Sequence, residues 1–375
     1  MTAQASGFDC GPAHAPGLLT IDLDAIAENY RILCARAAHG RCAGVVKANG
    51  YGLGVEPVVK TLWAAGCRTF FTAHLDEAIA ARSHLPKAEI GVLNGLIAGD
   101  EDVYRAHNLL PTLNDLGQVH RWEHYCHGVG QPLPASLHID TGMARLGLPQ
   151  KELEQLYADL SPFEAMDLRY IMSHMACADM PEEPMNQDQR DRFAEALKKL
   201  PKATAMLANS SATFLGKDWH FDMLRPGVAL FGGAPNEDGP NPMKQVVRLQ
   251  TKILQIQEID APQTVGYGAA FKATGPRRIA TLAVGYADGF LRSLSCRGTA
   301  YYGDQALPLV GRVSMDLTAV DVTDAPTAQV GEMVDLIGPN HDINALAREA
   351  GTIPYEILTS LGQRYKRHYV GGLQP

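Results

Sequence analysis

The sequence predicts an α/β protein: a (β/α)8 barrel of the TIM type followed by a mostly-β C-terminal domain. Between Arg41 and Gly233, eight short apolar runs alternate with longer stretches whose apolar residues fall at three- and four-residue spacing. The runs are continuous rather than alternating, as suits strands buried on both faces. After Pro242, period-two alternation between Gly and Pro turns takes over. Eight strand–helix units in about 200 residues sit at the low end of barrel sizes. The rival, an open doubly wound sheet, lacks its strand–GxGxxG–helix fingerprint here.

The elements follow in order. LLTIDLD (18–24) is a strand ahead of the barrel, able to pair with the C-terminal domain. The barrel strands are CAGVVK (42–47), TFFTA (69–73), EIGVLNG (89–95), LLPTL (109–113), ASLHID (135–140), LRYIMSH (168–174), ATAML (203–207) and DMLRPGVALFG (222–232). Helical segments such as VEPVVKTLWAAG, DEAIAARSHL and QDQRDRFAEALKKL separate them. In the second domain, QVVRLQTKILQIQEI, RRIATLAVGYADG, GTAYYGDQALPLVGRVSMDLTAVDVTD and EMVDLIG read as strands, with helical pattern in DINALAREAG and IPYEILTSLGQRY. The expected domains are 1–240 and 241–375, with 1–24 able to join the second. Internal repeats and low-complexity tracts are absent.

Composition narrows the function classes. Of 375 residues, 46% are hydrophobic, enough for a large core. A net charge of −8, from 33 basic and 41 acidic side chains without a basic stripe, argues against nucleic acid. No apolar run is long enough for a membrane span, and Met1 to Pro16 lacks the charged start of a signal peptide. Seven scattered cysteines form no C-x-x-C pair, which points to a reducing cytoplasm. His120, His124, Cys126 and His127 crowd HRWEHYCHG, but their spacing completes no recognisable ligand set, and no metal is expected.

Functional groups of such a barrel sit at the C-terminal ends of strands. Lys47, Arg145, His174, Asn209 and Arg225 fall at or just after those positions. Walled by Val45 and Val46, Lys47 is expected to be partly desolvated, which favours the free amine and suits covalent chemistry with a carbonyl. Taken alone, it fits a strand-end lysine snorkelling to solvent better. Gly50, Gly52 and Gly54 allow close backbone approach after it. Asn209 and Ser210 open a helix N-terminus, and Gly227 with Val228 offers backbone N–H groups beside Arg225. Two half-sites on adjacent late strands match the usual barrel phosphate site.

Together these residues resemble the alanine racemases, pyridoxal-phosphate enzymes of the barrel (fold type III) class. The likeness runs through TIDLDAIAENYRIL (20–33), VVKANGYGLG (45–54), HIDTGMARLG (138–147), SHMACAD (173–179), ANSSA (208–212), RPGVALFG (225–232), VGYGAAF (265–271), AVGYADGF (283–290), GRVSMDLTAVDV (311–322) and IPYEI (353–357). It implies pyridoxal 5'-phosphate carried covalently by Lys47. Tyr51, Asn209, Ser210, Gly227, Val228 and Tyr355 would lie around the cofactor, most of them at its phosphate; His174 would lie beside the ring and Arg225 would face its nitrogen. Arg145 and the backbone N–H of Met315 would hold the carboxylate of a small amino-acid substrate. Tyr286 would be the second catalytic base, reaching over from the other subunit of a head-to-tail homodimer.

Racemisation explains such a set. A proton leaves one face of the α-carbon and another arrives on the opposite face, so two acid/base groups are needed. A tyrosine, with a pKa near about 10, needs a nearby cation such as Arg145 to act as a base at neutrality. A permanent cation beside the ring nitrogen disfavours its protonation and steers the reaction to reprotonation at the α-carbon. Tyr286 and Tyr355 would narrow the entrance, favouring alanine, either as D-alanine for cell walls or as L-alanine for catabolism. Serine, lysine or broad-specificity racemases share the same residues; barrel-type decarboxylases and non-catalytic cofactor carriers fit less well. The family's lysine, often carbamylated, stands seven residues before the carboxylate-binding arginine; here that position is His138. The expectation is that an anion such as chloride, or water, orients Arg145, or that His138 only bonds locally. Leu53 and Gly50, in place of a histidine and an alanine common in the family, read as loop variation.

Overall fold

The computed structural model describes residues 15–236 and 239–372; Cys10 and most of the stretch read for a leader lie outside them. As far as they are described, the residues form two compact units. One spans the described residues of 23–244 with Gly372, the other residues 15–22 with 245–371.

The first strand, β1 (Gly17–Asp22), belongs to the second unit. The first unit holds seven parallel strands paired in chain order: β2 (Gly44–Val45), β3 (Thr69–Thr72), β4 (Glu89–Val92), β5 (Leu110–Leu113), β6 (Pro134–His138), β7 (Asp167–Met172) and β8 (Thr204–Met206). Phe70, Phe71, Ile90, Val92, Leu137 and Ile171 are almost wholly buried, as the continuous apolar runs require. Helices lie between the strands. In Val55–Ala64 the buried Val58, Val59 and Leu62 share one face. Leu116–Val129 starts where the Asp115 carboxylate accepts from the N–H of Gln118 and ends at left-handed Gly130. In that helix Trp122 and Cys126 face the core, while His120, His124 and His127 are exposed.

The run 222–232, expected as the eighth strand, is not one. It makes a single parallel bridge, Cys42 to Leu224, and then turns into a 3-10 helix, Val228–Phe231. Pro226 has no N–H to give a ladder, and Gly227 turns the chain away at φ −121°, ψ −87°. The segment nonetheless fills the eighth place. On one side Ala43 N–H donates to Leu224 O (2.8 Å) and Val45 N–H to Pro226 O (3.1 Å); on the other, Arg225 N–H donates to Ala208 O (2.8 Å). The ring of strands closes through a segment too irregular to be called a strand, and this irregularity leaves the Gly227 and Val228 backbone free to form a turn at the barrel mouth.

The second unit is built on β9 (Val247–Ile259), whose 13 residues serve three partners. Its first half lies between β1 and β16 (Met333–Ile337), and its second half pairs with β12 (Arg277–Leu282). Two short strands, β10 (Thr264–Val265) and β11 (Phe271–Lys272), form a separate hairpin. The ladder runs from β12 through β15 (Thr318–Asp321), β14 (Gln305–Val310), β13 (Thr299–Tyr302) and β16 back to β9, so the pairings close on themselves. β1 and the last strand, β17 (Lys366–Val370), extend this sheet, pairing in parallel with each other. Leu249, Thr251 and Ile253 alternate inward along β9, the period-two signature of the sequence.

Candidate active site

In the barrel unit, Lys47 leaves its strand straight into a left-handed turn. Ala48, Asn49, Gly50, Tyr51 and Gly52 all have positive φ, between 54° and 79°. Each non-glycine in that region costs about 1–2 kcal/mol, so the surroundings must impose it. Glu77 does so: its carboxylate accepts from the N–H groups of Ala48 (2.6 Å), Ala73 (2.9 Å) and His74 (3.2 Å). Asn49 Oδ1 accepts from Val55 N–H at 2.8 Å. Sequence reasoning passed over Glu77; its signal was the N3 position of the helix Leu75–His84, where a carboxylate reaches back to the cap.

The turn swings the Tyr51 ring inward, where it stacks on Phe231 with centroids 4.6 Å apart. Its hydroxyl lies against Gly227: a Cβ there would stand 2.0 Å from Oη. The Ser210 hydroxyl accepts from the N–H groups of Gly227 (3.0 Å) and Ala229 (3.2 Å). Tyr51, Ser210, Gly227 and Val228 thus converge on one cradle. Asn209 stands beside it, but the helix expected there is only the 3-10 turn Ala212–Phe214, whose first N–H donates to Asn209 Oδ1 at 2.9 Å.

Arg225 is buried and donates through Nη2 to Ser173 O (2.6 Å) and through Nη1 to His174 Nδ1 (3.3 Å). A guanidinium only donates, so the His174 ring carries its proton on Nε2. Burial first, and the Arg225 charge second, hold His174 well below the ordinary histidine range. Burial also brings Arg225 down to about 10, which leaves it cationic at neutrality. Lys47 is lowered by burial and by the charges of Arg145 and Arg225, against an opposing pull from Glu77. This desolvated amine under two cations is the electrostatic core of the site.

Arg145 is exposed on the loop 139–148, whose ends are tied by Leu148 N–H to His138 O (2.8 Å) and Asp140 N–H to Leu148 O (3.1 Å). The Asp140 carboxylate accepts from Gly142 and Ala144 N–H inside the loop. Among the described residues no carboxylate lies within ion-pair distance of Arg145. His138 is bonded to Asn114, another residue the sequence did not single out.

The β unit presents the remaining residues. Tyr286 opens a 3-10 turn, and its N–H donates to Ser314 O (3.0 Å) while Ala287 N–H donates to Met315 O (2.9 Å). Gly285 lets the two loops touch, since a Cβ there would meet Ser314 O at 2.3 Å. Tyr286 and Met315 therefore lie side by side. Arg364 ties the same loops together, bonding Asp288 at 2.7 Å and Asp316 at 2.7 Å. Tyr355 stands elsewhere in this unit, in the first turn of the helix Pro354–Ser360. A second tyrosine, Tyr267, joins β10 to β11 between two left-handed glycines, Gly266 and Gly268. It is 74% exposed against 43% for Tyr286. The Arg312 guanidinium packs on its turn, about where a Cβ on Gly268 would be. The flanking glycines of VGYG were the available signal.

The comparisons with known proteins agree across both units. The family model for the alanine racemase N-terminal domain matches residues 21–235, and that for the C-terminal domain residues 246–369. An alanine racemase of Rhodospirillum rubrum is 50% identical over 361 residues, covering 95% of this chain and 96% of that protein. A catabolic alanine racemase of Agrobacterium fabrum is 47% identical, covering 96% and 94%. The crystal structure of alanine racemase from Bartonella henselae with covalently bound pyridoxal phosphate has a TM-score of 0.92 at 41% identity, covering 95% of this chain and all of that one. The chain belongs to the alanine racemase family.

Proposed function

We propose that this protein interconverts L-alanine and D-alanine with pyridoxal 5'-phosphate carried on Lys47. The observation that carries the proposal is the pairing of a desolvated lysine with the Tyr51–Ser210–Gly227 cradle at one barrel mouth. The residues fit the cofactor. Hydroxyls and backbone N–H groups converge where Gly227 keeps space clear of a Cβ, and the buried Nε of Arg225 has no protein partner. Tyr51, Asn209, Ser210, Gly227, Val228 and Tyr355 would hold it, most of them at the phosphate. When bound, the cofactor withdraws electrons from the substrate and makes its α-proton removable. Arg225, cationic and buried, would keep the ring nitrogen unprotonated, and His174, neutral, would lie beside the ring. Arg145 and the Met315 N–H would hold the substrate carboxylate.

Lys47, with its lowered affinity for a proton, would take and return the α-proton on one face. The opposite face calls for a tyrosine of the β unit, supplied by the partner in a head-to-tail homodimer. Tyr286 is one candidate for that base. The greater exposure of Tyr267, on a turn packed by the Arg312 guanidinium, makes it the stronger one. Among the described residues no helix is long and apolar enough to cross a membrane; we place the enzyme in the cytoplasm. The test is chiral analysis of product after incubation with L-alanine, L-serine or L-lysine in the presence of the cofactor. D-alanine formed fastest supports the proposal. Faster D-serine or D-lysine moves the specificity, and no D-isomer from any of them refutes it.

A further inference from the structure

We propose that Gln189 is a positioning residue that fixes the Ser173–His174 dipeptide, and with it the His174 ring and the Arg225 guanidinium, against the cofactor ring. This rests on the places given to His174 and Arg225 above. The helix Pro184–Leu197 buries Asn186, Gln189, Phe193 and Ala196 along one face. Two of those four are amides where the helical period calls for apolar side chains, and a buried amide is costly unless its polar atoms are bonded. Those of Gln189 are bonded. Its Oε1 accepts from Ala176 N–H at 2.8 Å, and its Nε2 donates to His174 O at 3.0 Å. A backbone N–H only donates and a carbonyl only accepts, so the amide has a single orientation. Nε2 also donates to Thr141 Oγ1, at 3.2 Å.

These bonds complete a grip on the exit of β7 that Arg225 begins. Arg225 holds Ser173 O and the His174 ring; Gln189 holds the next carbonyl and the N–H two residues beyond it. Thr141 shares a hydrogen bond with Ser173 Oγ at 2.7 Å, and the same helix holds its carbonyl through Arg192 Nη1 at 3.2 Å. The dipeptide that orients both ring-facing groups is therefore tied to a buried helix through one side chain. Without Gln189, His174 O and Ala176 N–H lose the partner it gives them, and the His174 ring shifts with its backbone. Its bond to Arg225, at 3.3 Å, moves with it. Groups that face a reacting centre act only when held to a fraction of an ångström. Asn186, one turn earlier on the same face, donates to Cys177 O and Met180 O, further along the loop and away from the dipeptide.

The test uses holoenzyme. Gln189→Met keeps the length of the side chain and removes its hydrogen bonds. It should weaken the visible circular dichroism of the bound cofactor, which reads how rigidly the ring is held, and lower kcat by about tenfold. Cofactor affinity, set at the phosphate cradle and Lys47, and KM for alanine should stay within about threefold of wild type. Asn186→Leu is the control for a merely structural role: it should lower stability in urea as Gln189→Met does, yet leave dichroism and kcat within about twofold. Thr141→Ser should match wild type, and Thr141→Val should lose part of the dichroism. Adding Thr141→Val to Gln189→Met should bring little further loss, because the two changes remove one shared bond. Unchanged dichroism in Gln189→Met, or an equal change in Asn186→Leu, overturns the proposal. Should Gln189→Met not fold, Thr141→Val decides, and wild-type dichroism in that variant overturns the proposal. Failure of the wild type to racemise alanine would count against the functional proposal, while the dichroism, which needs only the bound cofactor, still judges this one.

Discussion

Replacing Gly227 by alanine tests the phosphate cradle at its tightest point. The added Cβ would lie 2.0 Å from Tyr51 Oη, 2.9 Å from Cζ and 3.5 Å from Cε2. Ordinary contact begins near 3.4 Å, so the hydroxyl has to retreat by about 1.4 Å. Little room exists for that. The Tyr51 ring is stacked on Phe231, its own backbone is left-handed at φ 54°, and Gly227 N–H is tied to Ser210. Overpacking of this kind costs about 1–3 kcal/mol. Borne by the groups that face the phosphate, it corresponds to a roughly tenfold to hundredfold loss of cofactor affinity. The assay is titration of apoenzyme with pyridoxal phosphate, followed by absorbance. Tyr51→Phe removes the nearest atom, so Gly227→Ala should cost less in that background than in the wild type, a non-additivity that marks direct contact. Unchanged affinity in Gly227→Ala, or strict additivity in the double variant, would refute the cradle.

Four further outcomes are expected. Lys47→Ala abolishes the visible absorbance of the covalently bound cofactor and all turnover, as read by spectrophotometry and chiral analysis; a surviving band would move the attachment elsewhere. Tyr267→Phe lowers solvent-isotope exchange from one enantiomer far more than from the other, and Tyr286→Phe lowers both alike and more mildly; the reverse pattern would return the base to Tyr286. Arg225→Glu allows slow transamination, seen as pyruvate released from alanine, and its absence would count against the charge argument. Acid should destabilise the barrel unit through His138, whose pKa is held by burial at about 3 against an ordinary 6.5. The unfolded chain takes up that proton first, so stability present above about pH 6.5 is lost as pH falls, by about 1 kcal/mol per pH unit until the folded pKa is reached. In urea titrations at falling pH, His138→Leu should lose less stability than wild type.

What was legible in the residues, and what was not, follows from range. Continuous apolar runs and period-two alternation are local burial patterns, so the barrel-then-β order, seven of the eight barrel strands and Lys47 at a strand end could be read directly. Gly227 and Tyr51 are far apart in sequence, and nothing in either motif shows that one must be glycine because the other's hydroxyl fills the space. The eighth strand failed because apolarity and length alone cannot register a missing proline donor and a glycine turn. Asn114 was invisible for another reason: it acts on ring and backbone atoms brought near only by the closed ring of strands. Glu77 had a local signal at N3, but its reach to Ala48 did not. The choice between Tyr286 and Tyr267 likewise turns on exposure and on Arg312, which the chain places beside Gly268 only after the sheet has closed. Sequence by itself determined the order of elements and the kinds of chemistry present, because hydrophobic period and residue type are local properties. Tertiary structure decided which tautomer His174 holds, which cations depress Lys47 and why Gly227 cannot carry a side chain, because those depend on distances between residues the chain brings together only when folded.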